Sequence, residues 1–410
     1  MSRAAEIFVP ARLGTGFRWL LASSWSTNLG DGVAAAAGPL LVASLTHDPF
    51  LISLAAMMRW APPLVFGLYA GVLADRHDRR WVVMAANLVR VAVLCVLTFT
   101  LLTGTVAVTG ALVALGLLAT AEVFADNTST TLTPMLVHRD DLAVANSRLQ
   151  AGFITLNQLA GPSIGAALFA AGVVWAFATE LVLVIAGVIL VSKVVLPAHG
   201  RDASDVQSGV WRDIVLGLRW VVHNPAVRTL VLTILIFNVT FGAAWSVLVL
   251  YATQRLGLGA IGFGLLTTVS AVGGLLGMGL YGWLTRRVSL GNVMRVGLII
   301  ETLTHFALAV TTSAWAAMLI FLIFGAHAFI WHTTSISIRQ RAVPAHLQGR
   351  VTSVNTIGVY GGLVVGSAVG GGLATHYGVT APFWFAFAGS ALFVVLLWRE
   401  LTRIVHAEAP

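Results

Sequence analysis

Gly71-Val72-Leu73-Ala74-Asp75-Arg76-His77-Asp78-Arg79-Arg80 is a charged, glycine-led turn wedged between two long apolar runs. A bilayer core holds no water to solvate such charges, so the turn belongs at a membrane surface, where it joins two spanning helices. The same pattern of long apolar run and short polar turn extends from this point to both ends of the chain.

Composition agrees. Of 410 residues, 58% are hydrophobic and 10% charged, with a mean hydropathy of +0.90. Soluble domains carry roughly a quarter charged residues; a tenth leaves too little polar surface to cover a soluble globule of this size. Twelve spans are predicted, over 17–45, 51–74, 81–103, 105–135, 142–171, 173–195, 226–253, 259–285, 290–312, 313–338, 347–375 and 380–402. About twenty apolar residues cross a hydrocarbon core, so the longer spans tilt or project beyond it. The first span exceeds a signal-peptide core and no small-residue cleavage site accompanies it, which predicts a retained helix.

The formal net charge of +8 does not mark a nucleic-acid surface, because the basic residues form no stripe on a soluble face. They lie in alternate loops. Nineteen of the 24 fall on the side of the N-terminus, Arg59, Arg90, Arg148 and Arg295 lie within spans, and only Arg255 falls on the opposite side. The expectation is a multi-pass protein of the cell membrane with both termini cytoplasmic. Cys95, the only cysteine, sits in an apolar run and can form neither an internal disulfide nor a thiolate metal site.

The longest polar break, 196–225, divides the chain into six-helix bundles over 1–195 and 226–410. Pro197, Gly200, Arg201, Asp202, Ser204 and Asp205 read as a linker. After them, Trp211, Ile214, Val215, Leu218 and Val222 share one helical face, the pattern of a helix lying on the cytoplasmic leaflet. The halves repeat: Leu142, Gly161, Gly165 and Leu168 recur as Leu347, Gly366, Gly370 and Leu373. A half-chain repeat is expected of transporters that rock two bundles around a central site. Gly358, Gly362, Gly366 and Gly370, four apart in the eleventh span, and Gly161 with Gly165 in the fifth predict close helix contacts. Pro162, between the latter two, also loosens the hydrogen-bond ladder, so the fifth span is either a packed seam or a bending one.

Charges at membrane depth are the strongest site signal. Asp31 lies midway along the first span; Glu122 and Asp126 stand four apart on one face of the fourth, and Glu301 and His305 do the same in the ninth. Charge in hydrocarbon is costly, so such groups face a cavity or a partner, and a carboxyl in apolar surroundings is suited to carry a proton. Two readings stand. Asp31, Glu122, Asp126 and Glu301 line a central cavity and carry protons, or Arg59, Arg90 or Arg148 neutralises them in structural pairs. Glu180 is the weaker candidate, placed near the outer leaflet. His327 and His332 are five apart on the tenth span, off a common face, so a polar cavity wall is expected rather than a metal site. Trp25, Trp60, Trp245 and Trp331 are candidate walls of a substrate cavity.

These motifs resemble the major facilitator superfamily. Residues 71–80 match its hallmark loop, with Asp78 where glycine is usual. The D-R-x-D-R-R form is similar to a branch of proton-coupled drug exporters that includes macrolide efflux proteins and the enterobactin exporter. Gly30-Asp31-Gly32, Asp140-Asp141-Leu142 through Ala145-Asn146, Arg339-Gln340 through Pro344, and Gly349-Arg350-Val351 resemble further motifs of that branch. Gly161-Pro162 through Gly165 resembles the antiporter motif, with Ala166 replacing a second glycine, and Trp331-His332 stands where related exporters carry Trp-Asn. The fourth span departs from the pattern in lacking the membrane-embedded arginine of many drug:proton antiporters.

The resemblance implies a twelve-helix, all-α transporter in two pseudo-symmetric bundles. It implies a cytoplasmic gate of Gly71, Asp75, Arg76, Asp78, Arg79, Arg80 and Arg139, in which Asp75 meets the start of the eleventh span. It implies export of an amphipathic small molecule such as a drug, antibiotic or siderophore, driven by the proton gradient. A proton-coupled importer, or a membrane sensor or assembly partner that does not transport, is the alternative. No G-x-x-x-x-G-K-[ST] loop is present, so ATP is not the expected energy source. Neither cofactor nor metal is expected, no catalytic constellation suggests an enzyme, and the expected partners are the bilayer, protons and substrate, with the chain a monomer.

Overall fold

The computed structural model describes residues 11–196, 210–398 and 400. Every described element is helical, as a chain in hydrocarbon requires when it must satisfy its own backbone. The helices are α1 (Gly14–Leu45), α2 (Pro49–Arg76), α3 (Arg79–Leu102), α4 (Val108–Leu136), α5 (142–171), α6 (Val173–Ser192), α7 (Val210–His223), α8 (Pro225–Trp245), α9 (Ala260–Arg287), α10 (Leu290–Val310), α11 (Ala314–Ala342), α12 (Gln348–Tyr377) and α13 (Ala381–Leu397). Eleven are long and apolar enough to cross a bilayer, and α13, at 17 residues, is the shorter twelfth. Two predicted spans are interrupted. The seventh, expected over 226–253, ends at Trp245, and a short turn and the π-helical Tyr251–Arg255 follow. The fifth is α-helical over Leu142–Gly152, π-helical over Phe153–Ala160 and α-helical again over Gly161–Ala171.

Helix ends follow local chemistry. Asp78 caps α3, its carboxylate accepting from the Arg80 N–H at 2.9 Å; this gives the departure from glycine in the 71–80 turn a physical role, because glycine caps without a side-chain acceptor. Asn224 caps α8 ahead of Pro225, and Ser289 and Ser313 cap α10 and α11. Gly104 and Gly378 end α3 and α12 at φ 67° and 88°, the left-handed region in which glycine is unstrained.

The described packing resolves two compact units, Met1–Leu45 with Val65–Asp205, and Thr46–Leu64 with Val206–Pro410. In the first, α1 packs along α5 and α6, and α3 along α4 and α6. In the second, α8 packs along α12 and α13, and α10 along α11 and α13. The neighbours correspond six spans apart, which is the structural counterpart of the sequence repeat. Glycine makes the tightest seams: a Cβ at Gly362 of α12 would lie 2.7 Å from the Leu235 carbonyl oxygen of α8, and Gly366 and Gly370 press still closer on Val239 and Ala243. Helix α7 packs Gly217 and Val221 toward α12 and leaves Val215, Leu218 and Val222 exposed. The linker residues before it, and the Trp211 side chain, lie outside the described set.

Candidate functional site

The Gly30-Asp31-Gly32 triplet places a carboxylate where two helices press on α1. On one side Gly32 meets Gly161 of α5; a Cβ at Gly161 would stand 2.5 Å from the Gly32 Cα. On the other, a Cβ at Gly30 would lie 3.4 Å from the Glu180 Cγ of α6. The Gly-Pro motif of α5 and the carboxylate of α1 are therefore one structural feature. The π-helical turn 153–160 ends at Gly161, where Pro162 has no N–H to donate.

Asp31 is 5% exposed and pairs with Arg90 of α3, which is 1% exposed. The guanidinium also stands 3.7 Å from a Glu180 carboxylate oxygen, and it donates to the Asn87 side-chain oxygen at 3.2 Å. Glu180 is 2% exposed. Its second oxygen, and the Arg90 Nε, make no hydrogen bond among the described residues. Glu122, half-buried, and Asp126, exposed, lie on α4 within electrostatic range of Asp31 and Arg90. Asp31 and Glu180 thus flank one arginine in a buried cluster of α1, α3 and α6, and Glu122 and Asp126 of α4 act on it electrostatically.

Sequence reasoning placed Asp31, Glu122 and Asp126 here, named Arg90 among three arginines that could neutralise them, and placed Glu180 near the outer leaflet. The structure brings both to Asp31. Arg59 stacks on Trp60, and the Arg148 carbonyl accepts from the Trp25 indole at 3.2 Å. The usable signal was depth. Glu180 is the eighth residue of an otherwise apolar 20-residue helix, about 12 Å from its start at 1.5 Å per residue.

Glu301 belongs to the second unit. Its carboxylate lies 3.5 Å from the His327 Nε2, while His305, one turn along α10, is fully buried with neither ring nitrogen partnered among the described residues. Trp245 ends α8 inside an aromatic cluster, with ring centroids 4.4 Å from Phe241, 4.7 Å from Phe324 and 5.9 Å from His305. Trp331 lines a pocket with His327, and His332 is exposed on another face of α11. Trp60 faces Tyr360 at 6.3 Å. Trp25 covers Gly152 of α5, a packing position. Among the described residues no group of three or more His, Cys, Asp or Glu is placed to hold a metal.

At the 71–80 turn, the Arg79 guanidinium donates to the Thr131 carbonyl at the end of α4 and to the Ala74 carbonyl, and Arg80 donates to the Val194 carbonyl just after α6, at 3.0 Å. These guanidinium contacts tie the start of α3 to the C-terminal turns of α2 and α4 and to the chain leaving α6. Gly71, Arg76 and Arg139 are exposed; the Asp75 backbone continues α2, and its side chain lies outside the described set.

Twelve apolar helices in two halves of matching connectivity, with carboxylates paired at membrane depth, define a multi-pass membrane transporter of the major facilitator type. Residues 6–409 match the family model described as transmembrane secretion effector, and the chain belongs to that family. It is 28% identical over 379 residues to the multidrug efflux pump Tap of Mycolicibacterium fortuitum, covering 89% of this chain and 90% of that protein. It is 23% identical to the enterobactin exporter EntS of Salmonella typhimurium, covering 94% and 93%. A bacterial homologue of the iron transporter ferroportin, in an inward-facing state, shares the fold at a TM-score of 0.75 and 17% identity, over 95% of this chain and 99% of that one.

Proposed function

We propose that the chain exports an amphipathic small molecule in exchange for protons, as a monomer without a cofactor, with both termini on the cytoplasmic side of the cell membrane. The observation that carries proton coupling is the charge balance of the first-unit cluster. Asp31 and Glu180, both buried, share the Arg90 guanidinium, so ionisation of both leaves one negative charge in excess, and the carboxylates of Glu122 and Asp126 on α4 add to it. Each buried ion carries a desolvation cost of several kcal/mol, and protons are the smallest species that lift the imbalance. Arg90, on α3, supplies the embedded cation that α4 lacks. The cluster's position also favours coupling: Asp31 stands beside the Gly32–Gly161 seam, so the occupancy of the carboxylate and the fit of α5 against α1 are mechanically joined. The 71–80 turn, tying α3 to the ends of α4 and α6, serves as part of the cytoplasmic gate.

Export of amphiphiles is supported by the relatives, whose names are those of a multidrug efflux pump and a siderophore exporter, and by the aromatic cluster around Trp245. Everted vesicles carrying the chain test this reading. ATP-generated acidification should drive accumulation of a cationic amphiphilic dye, and a protonophore should abolish it. Accumulation that is indifferent to the protonophore, or no accumulation of any of a broad set of amphiphiles, would overturn the proposal.

A further inference from the structure

Helix α7 divides into sectors around its axis, taken at about 100° per residue. Gly217 and Val221 mark the packed side: a Cβ at Gly217 would stand 2.6 Å from the Arg350 carbonyl oxygen of α12, and Val221 lies in a buried cluster with Val351 and Val354. Next around the helix come Val215, Leu218 and Val222, all exposed. Beyond them stand Arg212 and Arg219, also exposed. The open side of α7 is thus an aliphatic row bordered by two guanidinium groups. Arg228, exposed near the start of α8, donates to the Val222 carbonyl at 3.2 Å and brings a third to the same end. All of these residues belong to the second unit.

Connectivity, charge and size together name what covers this face. α7 ends at His223, the spanning helix α8 begins at Pro225, and Asn224 alone lies between them. The exposed row therefore ends where a spanning helix starts, at a membrane surface. From Ile214 to Arg399 the sequence holds ten arginines and one acidic residue, Glu301, which is buried. Among the described residues neither Arg212 nor Arg219 makes an ion pair, so the border of the row calls for anions from outside the chain. Three aliphatic side chains fall well short of the ~800 Å2 per partner that a stable protein interface buries. A helix with an apolar row and a basic border binds a bilayer instead, through apolar burial joined to attraction for anionic headgroups. We infer that α7 docks on an anionic phospholipid surface, with Val215, Leu218 and Val222 set into the boundary of the acyl chains and Arg212 and Arg219 reaching the phosphates. The arginine stems lie along the apolar row while their charged ends stay with the headgroups. This surface is separate from the Asp31 cluster and needs no proton gradient, so it stands or falls apart from proton coupling.

Hydrogen–deuterium exchange of the full chain in nanodiscs tests it, with discs of phosphatidylcholine alone set against discs in which part of the lipid is phosphatidylglycerol, at one copy per disc. Both leaflets of a disc are alike, so the readout does not depend on which way the chain faces. Amides of 210–223 should exchange about thirtyfold more slowly in the anionic discs, the effect of two arginines at an anionic surface. Salt at about 0.5 M should remove most of that difference by screening. Arg212→Gln with Arg219→Gln should bring the anionic discs to the neutral rate and leave the neutral rate as it was. Leu218→Ser with Val222→Ser should speed exchange in both discs. All four side chains are exposed, so the cluster around Val221 keeps its packing, and the salt comparison needs no variant at all. Equal exchange of the native chain in the two discs, a difference that survives salt or the paired arginine change, or indifference to the paired serine change each overturns the inference. Protection that appears only with two copies per disc overturns it as well and assigns the face to a second copy of the chain.

Discussion

Replacing Gly161 by alanine inserts one methyl group between the helix that carries Asp31 and the helix that carries the Gly-Pro motif. The added carbon would lie 2.5 Å from the Gly32 Cα and 2.6 Å from the Leu156 carbonyl oxygen. Carbon atoms pack at about 3.5–4.0 Å, so α1 and α5 must separate locally by roughly 1 Å. Both obstructing groups are backbone, and no rotamer change relieves them. Overpacking of this kind costs about 1–3 kcal/mol. At about 2–4 °C per kcal/mol for a folding unit of 150–250 residues, a loss near 2 kcal/mol corresponds to an unfolding temperature lower by about 4–8 °C. Gly279→Ala is the control: nothing lies within 4 Å of its Cβ position on α9, so alanine there should be neutral or stabilising by up to about 1 kcal/mol. Thermal unfolding of the purified variants, followed by intrinsic fluorescence, gives the comparison. If Gly161→Ala unfolds with the native chain, or if Gly279→Ala falls by as much, the close seam is not what holds Asp31 in place.

Further outcomes follow from single contacts. Asp78→Ala should lower stability by about 1 kcal/mol through the lost α3 cap, while Asp78→Gly should lose only a few tenths; equal losses in a thermal-shift assay would contradict the capping role. Arg90→Met leaves Asp31 and Glu180 without their cation and should cost about 3–5 kcal/mol, seen as loss of folded protein by size-exclusion chromatography. Adding Asp31→Asn and Glu180→Gln to that variant should restore folding, and failure to do so would mean that Arg90 acts through packing rather than charge. Trp25→Phe removes the bond to the Arg148 carbonyl and should cost about 1 kcal/mol in thermal unfolding without altering dye transport; a transport defect at native stability would return Trp25 to the substrate path.

Where the bilayer sets the rules, the fold was legible in the sequence. The 71–80 turn, the twelve apolar runs and the half-chain repeat follow from the need to keep charge at the surface and backbone groups paired, and α2 through α4 lie within a few residues of their predicted limits. What hydropathy does not encode is hydrogen-bond register, so the turn after Trp245 and the π-helical segment at 153–160 were read as continuous helix. The candidate site was half legible. Asp31 and Glu122 announce themselves as charges at membrane depth, but which cation meets them depends on how α3 and α6 rotate about their axes. The sequence leaves Arg59, Arg90 and Arg148 as alternatives, and only packing selects Arg90 and brings Glu180 to it. Helix α7 shows the converse: its apolar stripe was plain, yet the packed face carries Gly217 and Val221, because close approach to the Arg350 backbone selects small size over hydrophobicity.

Proton coupling through the Asp31 cluster is tested most directly by substrate-driven proton movement in proteoliposomes. Vesicles loaded with a transported amphiphile and an internal pH dye are diluted into substrate-free buffer, with the native chain compared to Asp31→Asn and Glu180→Gln. The native chain should acidify the lumen as substrate leaves, and the variants should lose this acidification while still exchanging labelled for unlabelled substrate. Undiminished acidification in Asp31→Asn with native substrate efflux would contradict the account and move the proton to another group.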